Sequence, residues 1–269
     1  MRIALDGVTV RLGGRTILSD IAFSAEPGRF VGILGPNGSG KSTLLRTMYR
    51  AVRPAAGSVR IGELDVWSAH RRDVARTVAV MTQDSSTEFD FTALEVVLLG
   101  RVPFQRGFGR DSASDLEFAR AALEQARASE FADRPLAELS GGQRQRELLA
   151  RALAAQTPVV LLDEPTNHLD IAFQLELMRL ASTLDRTVIA ALHDLNLAAG
   201  HCDAVVVLHQ GRVVAAGPPS ILTPALVREV FGVHAERFTH PRSGAPVLAF
   251  GHEDPAPREE ESRFQCANE

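Results

Sequence analysis

The stretch GPNGSGKST, residues 35–43, decides how the rest of the chain is interpreted. It fits the pattern G-x-x-x-x-G-K-[S/T], directly after an apolar run, FVGIL, and directly before a segment with helical spacing. Glycines in such a turn let backbone N–H groups face phosphate oxygens, and the start of the helix adds favourable partial charge. This context disfavours a glycine-rich turn that binds nothing. We therefore predict a phosphate-binding loop made of Gly35, Pro36, Asn37, Gly38, Ser39, Gly40, Lys41, Ser42 and Thr43.

Lys41 is the only lysine in the chain, since arginine takes every other Lys or Arg position. A lysine ammonium is a compact point charge, whereas the arginine guanidinium is a broad planar fork. Inside a tight backbone loop the compact group can reach the β- and γ-phosphates of a nucleotide. We therefore count Lys41 among the catalytic residues as well as the binding residues. Its neighbour Ser42 can bind Mg²⁺ through the side-chain hydroxyl.

Composition limits the class of protein. The chain has 269 residues, 45% hydrophobic and 23% charged, which is enough to bury a sizeable core. No window approaches the roughly 18 apolar residues of a membrane span, and no signal segment opens the chain, so we expect a cytosolic protein. Two distant cysteines, Cys202 and Cys266, argue against a zinc site or disulfide framework. A formal net charge of −4 argues against a nucleic-acid partner.

The residue pattern changes three times along the chain. The opening third alternates like strands, and the helix after the loop is expected to reach the stop at Arg53-Pro54. Residues from about 84 to 156 have helical spacing and carry capping-box patterns at Thr92–Glu95, Ser114–Glu117 and Ser140–Gln143. Apolar runs then alternate with helical segments, as in a parallel α/β sheet. We predict one domain over residues 1–251 with a helical insertion at 84–156, followed by a loose acidic tail over 252–269.

The run VVLLDE, residues 159–164, is an apolar strand that ends in two carboxylates. Asp163 is placed to hold magnesium, directly or through water, and Glu164 to polarise the water that attacks the γ-phosphate. A strand that ends in Asp-Glu can equally be the start of a solvated loop. The phosphate-binding loop upstream makes that alternative the weaker one.

The run LSGGQ, residues 139–143, opens a helical segment and has two interpretations. The spacing from Ser140 to Gln143 can be a capping box and nothing more. The alternative is a second phosphate site, because Gly141 and Gly142 leave backbone N–H groups uncovered at a helix N-terminus. One chain does not need two such sites for one γ-phosphate, so this one would serve the nucleotide of another copy.

His193 follows a third apolar run, TVIAAL. A lone histidine is usually structural or an ordinary surface residue. Here, however, three apolar strands each place a polar group at the carboxyl end, namely Gly35, Asp163 and His193. Ligands in open α/β sheets bind along that edge. His193 is thus predicted to hydrogen-bond the γ-phosphate or the attacking water.

These motifs, in this order, resemble the ATP-binding subunit of ABC transporters over residues 2–250. The fold implied is a P-loop NTPase of the ABC type with an antiparallel β subdomain and an inserted α-helical subdomain. Two further family motifs are the glutamine of VMTQD, Gln83, and TNHLD, which contains Asp170. The resemblance implies ATP and Mg²⁺ as ligands, Gln83 as a catalytic and magnesium-linked residue, and a head-to-tail dimer. Each ATP would lie between one copy's phosphate-binding loop and the other's LSGGQ, and Asp170 would contact the partner copy.

Residues 85–104, SSTEFDFTALEVVLLGRVPF, together with FTHPRSGAPVLAF near the end, are similar to the ATPases of bacterial importers for iron siderophores, haem and vitamin B12. The family usually has an aromatic residue that stacks on adenine where this chain has Leu12. Stacking is worth about 1 kcal/mol, so a leucine could weaken adenine affinity while still covering the base.

The function implied is ATP hydrolysis that drives import of an iron chelate or a related metal chelate. The expected partners are a second copy, two transmembrane permease subunits and, indirectly, an extracytoplasmic substrate-binding protein. The expected location is the cytoplasmic face of the bacterial inner membrane, as a peripheral subunit. The alternatives are a soluble mechanical ABC ATPase, a non-catalytic nucleotide switch and an exporter ATPase. A single cassette with a short helical insertion argues against the first, and the presence of both Glu164 and His193 argues against the second.

Overall fold

The computed structural model describes residues 1–82, 91–105, 111–167, 169–242 and 244–251. Gln83, part of the segment that follows it, and the predicted tail lie outside these ranges. The strands are β1 (Ile3–Leu12), β2 (Arg15–Ala25), β3 (Phe30–Leu34), β4 (Ala56–Ile61), β5 (Leu64–Asp65), β6 (Val78–Met81), β7 (Val159–Asp163), β8 (Thr187–Ala191), β9 (Ala204–His209), β10 (Arg212–Gly217), β11 (His234–Thr239) and β12 (Pro246–Gly251). The α-helices are α1 (Lys41–Met48), α2 (Arg71–Thr77), α3 (Ala93–Leu98), α4 (Ala113–Gln125), α5 (Gly141–Ala154), α6 (Ile171–Thr183), α7 (Leu195–His201) and α8 (Pro224–Phe231).

The predicted α/β architecture is confirmed. One sheet is antiparallel, in the order β2-β1-β4-β5, and a second has six strands in the order β10-β9-β3-β8-β7-β6. Within the second sheet the five strands from β9 to β6 are parallel, and β10 pairs antiparallel at the edge. β11 and β12 form a separate hairpin. The antiparallel subdomain expected from the family resemblance is therefore present.

The strand order decides where the predicted site residues meet. β8 lies between β3 and β7, and its last residue, Ala191, is in register with both Ile33 and Asp163. The carboxyl ends of these three strands are therefore level with one another. The residues that follow them, from Gly35, Glu164 and Leu192 onward, lie along one edge of the sheet, as expected for a ligand site in a parallel sheet.

Two hydrophobic core clusters lie on opposite faces of the parallel sheet. Along β7, Val159 and Leu161 belong to the cluster that also contains α1 and the antiparallel sheet, whereas Val160 and Leu162 belong to the cluster with α3 to α7. This alternation follows from the two-residue period of a strand. Because both faces are covered, the strands read as continuous apolar runs.

α1 ends earlier than the sequence predicted. It stops at Met48, and Arg50 takes a left-handed conformation with φ of 66°, so the helix never reaches Arg53-Pro54. The Arg50 guanidinium donates to the carbonyl of Ala69 and lies over the Trp67 ring, 5.5 Å from its centroid. The early end of α1 is thus accompanied by contacts between Arg50 and the segment around Trp67, which is distant in sequence.

The middle block is helical where it is described, with α3, a 3₁₀ turn over Leu99–Phe104, α4 and α5. The capping boxes at Thr92 and Ser140 are confirmed, but the one predicted at Ser114–Glu117 is wrong. Ser112 caps α4 instead, with Asp115 as its reciprocal partner. Buried Arg101 explains why the cap is Ser112 rather than Ser114, because Nε of Arg101 lies 3.0 Å from Oδ1 of Asp115 and fixes that carboxylate at the helix start.

No helix in the described ranges is both long and apolar enough to cross a bilayer.

Candidate nucleotide-binding site

The phosphate-binding loop is packed so tightly on its neighbours that glycine is required at its first position. Gly35 has φ of 151°, and a Cβ there would lie 2.2 Å from the Leu208 carbonyl oxygen and 2.6 Å from Oγ of Ser39. Gly40 precedes α1 with φ of 102°, and its Cβ would lie 2.5 Å from Cδ2 of Leu18. The loop therefore lies directly against β9 and β2, which fixes its shape.

The Lys41 side chain curls back across this loop. Its Nζ donates to the carbonyl oxygens of Gly35, at 2.8 Å, and Pro36, at 3.2 Å. The residue is only 4% exposed. Burial lowers the pKa of the Lys41 ammonium below its usual value, and the carboxylates of Glu164 and Asp163 oppose that shift. A compact cation is thus held inside the loop, as predicted from the sequence.

Ser42 and Asp163 meet at the start of α1. The Ser42 hydroxyl donates to Oδ1 of Asp163 at 2.8 Å, and Asp163 is 5% exposed. Burial raises the pKa of the Asp163 carboxyl above its ordinary value, and the hydrogen bond from Ser42 opposes the shift. A hydroxyl and a carboxylate are oxygen ligands of the type that Mg²⁺ takes together with substrate phosphates. Two of the three residues predicted to hold Mg²⁺, Ser42 and Asp163, therefore lie side by side, and the third, Gln83, is outside the described residues.

One further observation fits a bound nucleotide. The Ser39 hydroxyl is buried and has no hydrogen-bond partner in the described part of the chain, although it lies within the loop. A bound phosphate would satisfy such a donor. Across the same ranges no three His, Cys, Asp or Glu side chains cluster as a metal site.

Glu164 is held by contacts on both carboxylate oxygens. Oε1 lies 2.6 Å from Nε2 of His193, and Oε2 accepts a hydrogen bond from Nδ2 of Asn167 at 2.6 Å. Its backbone has φ of 52°, unusual for a residue other than glycine, and its N–H donates to the carbonyl of Ala191. The backbone and the side chain together orient the carboxylate toward the sheet edge.

A cleft of about 300 Å³ opens beside the loop. Its lining residues are Ile17, Asn37, Gly38, Gly40, Lys41, Ser42, Thr43 and Glu164. Ile17 comes from β2, and in the sequence it was recognisable only as an apolar residue of a strand. Leu12, predicted to cover adenine, is 45% exposed at the end of β1 and is not among these lining residues. Its role stays a prediction.

The LSGGQ residues lie at the start of α5, and none of them lines this cleft. Ser140 caps the helix, since its Oγ accepts from the N–H of Gln143 at 3.3 Å and its N–H donates to Oε1 of Gln143 at 3.0 Å. Ser140 and Gly141 are exposed, and a Cβ on Gly141 would meet nothing within 4 Å. The capping box is therefore confirmed, and the second interpretation, a phosphate site for another copy, stays a prediction.

Asp170 caps α6, where its carboxylate accepts from the N–H of Phe173 at 2.8 Å. It is exposed. Sequence reasoning missed Asn167, which lies three residues after Glu164 and orients it, and Gln145, whose Nε2 donates to the Pro165 carbonyl at 3.1 Å. Asn167 returns to Glu164 through a turn in which its N–H donates to the Glu164 carbonyl at 3.3 Å.

A family profile described as ABC transporter matches residues 18–167. The matched part contains the phosphate-binding loop, LSGGQ and the strand that ends at Asp163 and Glu164. The chain therefore belongs to the ABC transporter family.

Two curated relatives have names that refer to import. The chain is 45% identical over 253 residues to the cobalamin import ATP-binding protein BtuD of Halobacterium salinarum, covering 92% of this chain and 63% of that protein. It therefore spans less than two thirds of the length of this relative. It is 38% identical over 250 residues to the iron(3+)-hydroxamate import ATP-binding protein FhuC of Bacillus subtilis, covering 91% of this chain and 93% of that protein.

Two solved structures share the fold. One is a metal-chelate type ABC transporter in an inward-facing conformation, with a TM-score of 0.80 and 25% identity over 93% of this chain and 97% of that one. The other is a dimer of the ATP-binding cassette MJ0796 in a post-hydrolysis state with ADP and phosphate. Its TM-score is 0.73, with 29% identity over 81% of this chain and 98% of that one.

Proposed function

We propose that this chain binds and hydrolyses ATP as the energy-supplying subunit of an importer for metal chelates, such as iron siderophores, haem or cobalamin. The observation that carries the proposal is the meeting of three groups at one sheet edge. These are the phosphate-binding loop around Lys41, the Ser42–Asp163 pair at 2.8 Å and the Glu164–His193 pair at 2.6 Å. Phosphoryl transfer depends mainly on positioning and electrostatics, which such an arrangement supplies.

Each side chain has a role that suits its chemistry. Lys41 and the loop N–H groups bind the phosphates, while Ser42 and Asp163, with Gln83, hold Mg²⁺. When bound, Mg²⁺ neutralises charge that develops on the phosphate oxygens. Glu164 orients and polarises the attacking water, and His193 donates a hydrogen bond to the γ-phosphate or to that water. The contacts of Glu164 with both His193 and Asn167 support its role, because they keep its carboxylate in one orientation.

A second copy of the chain completes the site in this proposal. The start of α5, Ser140 to Gln143, binds the γ-phosphate of the partner's ATP, and Asp170 contacts the partner. Two observations support a role for LSGGQ in the partner's site. The LSGGQ residues are not among those that line the cleft of their own chain, and Ser140 is exposed. The cassette MJ0796, which shares the fold, is described as a dimer with ADP and phosphate. ATP would close the dimer by contacting both copies, and hydrolysis would remove that link.

Two permease subunits are the proposed membrane partners, so the chain would lie at the cytoplasmic face of the inner membrane as a peripheral subunit. The surface proposed for docking is a groove between the parallel sheet and the helical block. Its lining residues are Ala75, Val78, Ala79, Val80, Thr82, Leu99, Gly100, Pro103, Arg151, Ala152 and Ala155. Leu99 is 46% exposed there, and Val102 beside it is 51% exposed. Exposed apolar side chains around a groove favour a protein partner. A substrate-binding protein outside the membrane would act only through the permease.

Capture from native membranes tests the transport proposal. The tagged chain is purified in mild detergent, and the co-purifying chains are identified by mass spectrometry. We expect a permease to co-purify with the unaltered chain and to be lost with Leu99→Glu. It should be retained with Val214→Glu, which places the same charge on an exposed valine of β10. If a permease is captured, uptake assays with that permease would identify the chelate. Recovery of soluble partners only would favour the soluble mechanical ATPase.

A further inference from the structure

The C-terminal hairpin is joined to α7 by a pair of hydrogen bonds that the proposed function does not use. Nδ2 of Asn196 donates to the Leu248 carbonyl at 3.0 Å, and the Leu248 N–H donates to Oδ1 of Asn196 at 2.7 Å. The amide side chain thus pairs with β12 through one donor and one acceptor, as a neighbouring backbone would. With both of its polar atoms bonded, the Asn196 side chain has one fixed orientation.

Packing surrounds this pair of hydrogen bonds. Leu248 and Ala235, one from each strand of the hairpin, are both 2% exposed and belong to the same core cluster as Leu195 and Ala198 of α7. Breaking the hydrogen bonds would leave the polar atoms of Leu248 without a partner at a buried position, which is unfavourable. The hairpin therefore constrains the position of α7.

The start of α7 in turn constrains His193. Asp194, the next residue, caps the helix and accepts hydrogen bonds from the N–H groups of Asn196, at 2.7 Å, and Leu197, at 2.9 Å. On the other side, the N–H of Leu192 donates to the Ile33 carbonyl at 2.9 Å. His193 is thus held by the sheet before it and by the cap of α7 after it. A shift of that cap would move the imidazole relative to Glu164.

We propose that Asn196 is a positioning residue for ATP hydrolysis: by fixing α7 to β12, it places His193 at its 2.6 Å contact with Glu164. This inference rests on the role proposed above for His193. It also gives a function to the late segment GAPVLAF, which contains Leu248 and was notable in the sequence only for its similarity to importer ATPases. Misplacing a reacting group by about 1 Å can cost up to roughly 100-fold in rate.

The test compares Asn196→Leu, which is similar in size but cannot hydrogen-bond, with Asn196→Asp in the full-length chain. We expect Asn196→Leu to lower kcat for ATP hydrolysis about tenfold or more. KM for ATP should change little, because Asn196 is not among the residues that line the nucleotide cleft. In Asn196→Asp, the ionised carboxylate can still accept a hydrogen bond from the N–H of Leu248. It has no N–H or O–H, however, to donate to the Leu248 carbonyl. Protonation restores a donor, so its kcat relative to the unaltered chain at the same pH should recover as the pH falls.

Two controls separate the possible explanations. Arg237→Ala removes a different hydrogen bond of the hairpin, from Nη1 of Arg237 to the Ser220 carbonyl at 3.0 Å, and keeps both Asn196–Leu248 hydrogen bonds, so kcat should stay near that of the unaltered chain. His193→Ala tests the proposed function itself. If His193→Ala loses activity but Asn196→Leu keeps full kcat, the inference is wrong and the proposed function stands.

If His193→Ala keeps full kcat, the proposed role of His193 fails. If Arg237→Ala loses as much activity as Asn196→Leu, general loosening of the hairpin explains both and the inference is wrong. If Asn196→Leu does not fold, the pH profile of Asn196→Asp decides. A ratio to the unaltered chain that stays flat with pH would overturn the inference.

Discussion

Nε2 of His193 lies 2.6 Å from Oε1 of Glu164, although the two residues follow different strands of the parallel sheet. β7 and β8 are neighbours, and Ala191 is in register with Asp163, so Glu164, one residue past the end of β7, comes close to His193, two residues past the end of β8. The carboxylate proposed to polarise water and the imidazole proposed to contact the γ-phosphate are thus one hydrogen-bonded unit. Changing either side chain should affect the other.

Replacing Glu164 with Gln should stop hydrolysis without preventing ATP binding. The amide keeps the size of the side chain but cannot polarise water as a base, and loss of a general base typically costs about 10²–10⁴-fold in rate. ATP should then accumulate between two copies and hold them together. Phosphate release measures the first effect, and light scattering with and without ATP measures the dimer. Glu63→Gln, at a fully exposed glutamate, is the matched control. A Glu164→Gln variant that stays monomeric in ATP would refute the role assigned to this carboxylate.

Lys41→Arg should weaken nucleotide binding even though the charge is kept. Nζ of Lys41 fits between the carbonyls of Gly35 and Pro36 in a loop that leaves the residue 4% exposed, where a planar guanidinium does not fit. Loss of one charge-assisted contact with the phosphates corresponds to about 10- to 100-fold in Kd. Titration calorimetry with ATP and Mg²⁺ gives the Kd. The control is Arg212→Lys on exposed β10, and equal affinity of Lys41→Arg and the unaltered chain would contradict the argument from geometry.

The fold and most of the site could be predicted from the sequence because their signals are local. A loop such as GPNGSGKST between an apolar strand and a helix predicts both the sheet and its ligand edge. The contacts of Asn167, Gln145 and Ile17 could not be predicted in this way. Each depends on strand order or on the path of a turn, so residues distant in sequence decide it. The early end of α1 and the cap at Ser112 also depend on residues of other segments. Trp67 contacts Arg50 after α1, and Arg101 contacts Asp115 at the start of α4.

Gly35→Ala should destabilise the fold and abolish nucleotide binding. The new Cβ would lie 2.2 Å from the Leu208 carbonyl oxygen, so the loop or β9 must move. Together with a left-handed backbone, this should cost about 2 kcal/mol or more. Gly14→Ala is the matched control, because Gly14 also has positive φ, at 77°, but its Cβ would meet nothing within 4 Å. That change should cost only about 1 kcal/mol and leave ATP binding intact. Urea unfolding gives both values, and equal costs would contradict the predicted clash.

Leu12→Tyr should tighten ATP binding if Leu12 covers the adenine base. The side chain is 45% exposed, so a larger ring can be placed there without changing the core. Stacking of about 0.5–1.5 kcal/mol corresponds to roughly 2- to 10-fold in Kd. The affinity for a base-free triphosphate should not change, which separates stacking from effects on the phosphate-binding loop. Val214→Tyr on β10 controls for an added surface ring, and an unchanged Kd for ATP would place adenine elsewhere.

Glu147 had no signal in the sequence, where it is one charged residue among the arginines of α5. It is 0% exposed, and neither carboxylate oxygen has a hydrogen-bond partner in the described part of the chain. Burial raises its pKa from an ordinary 4.5 to about 7, with Arg151 and Arg144 opposing the shift. Helical periodicity indicates which face a residue takes, but it does not reveal whether a buried carboxylate finds a partner.

The stability of the chain should therefore fall as pH rises through the range where Glu147 loses its proton. Since its pKa is higher in the folded than in the unfolded chain, the folded chain binds more protons between about pH 4.5 and 7. The resulting penalty is absent below that window and complete above it, at up to about 3 kcal/mol. Glu147→Leu removes the carboxyl, so its gain in the free energy of unfolding over the unaltered chain should be larger at pH 8 than at pH 5. Urea titrations at both values measure this gain, with Glu63→Leu at an exposed site as the control. An equal gain at the two pH values would mean that Glu147 does not titrate in this window.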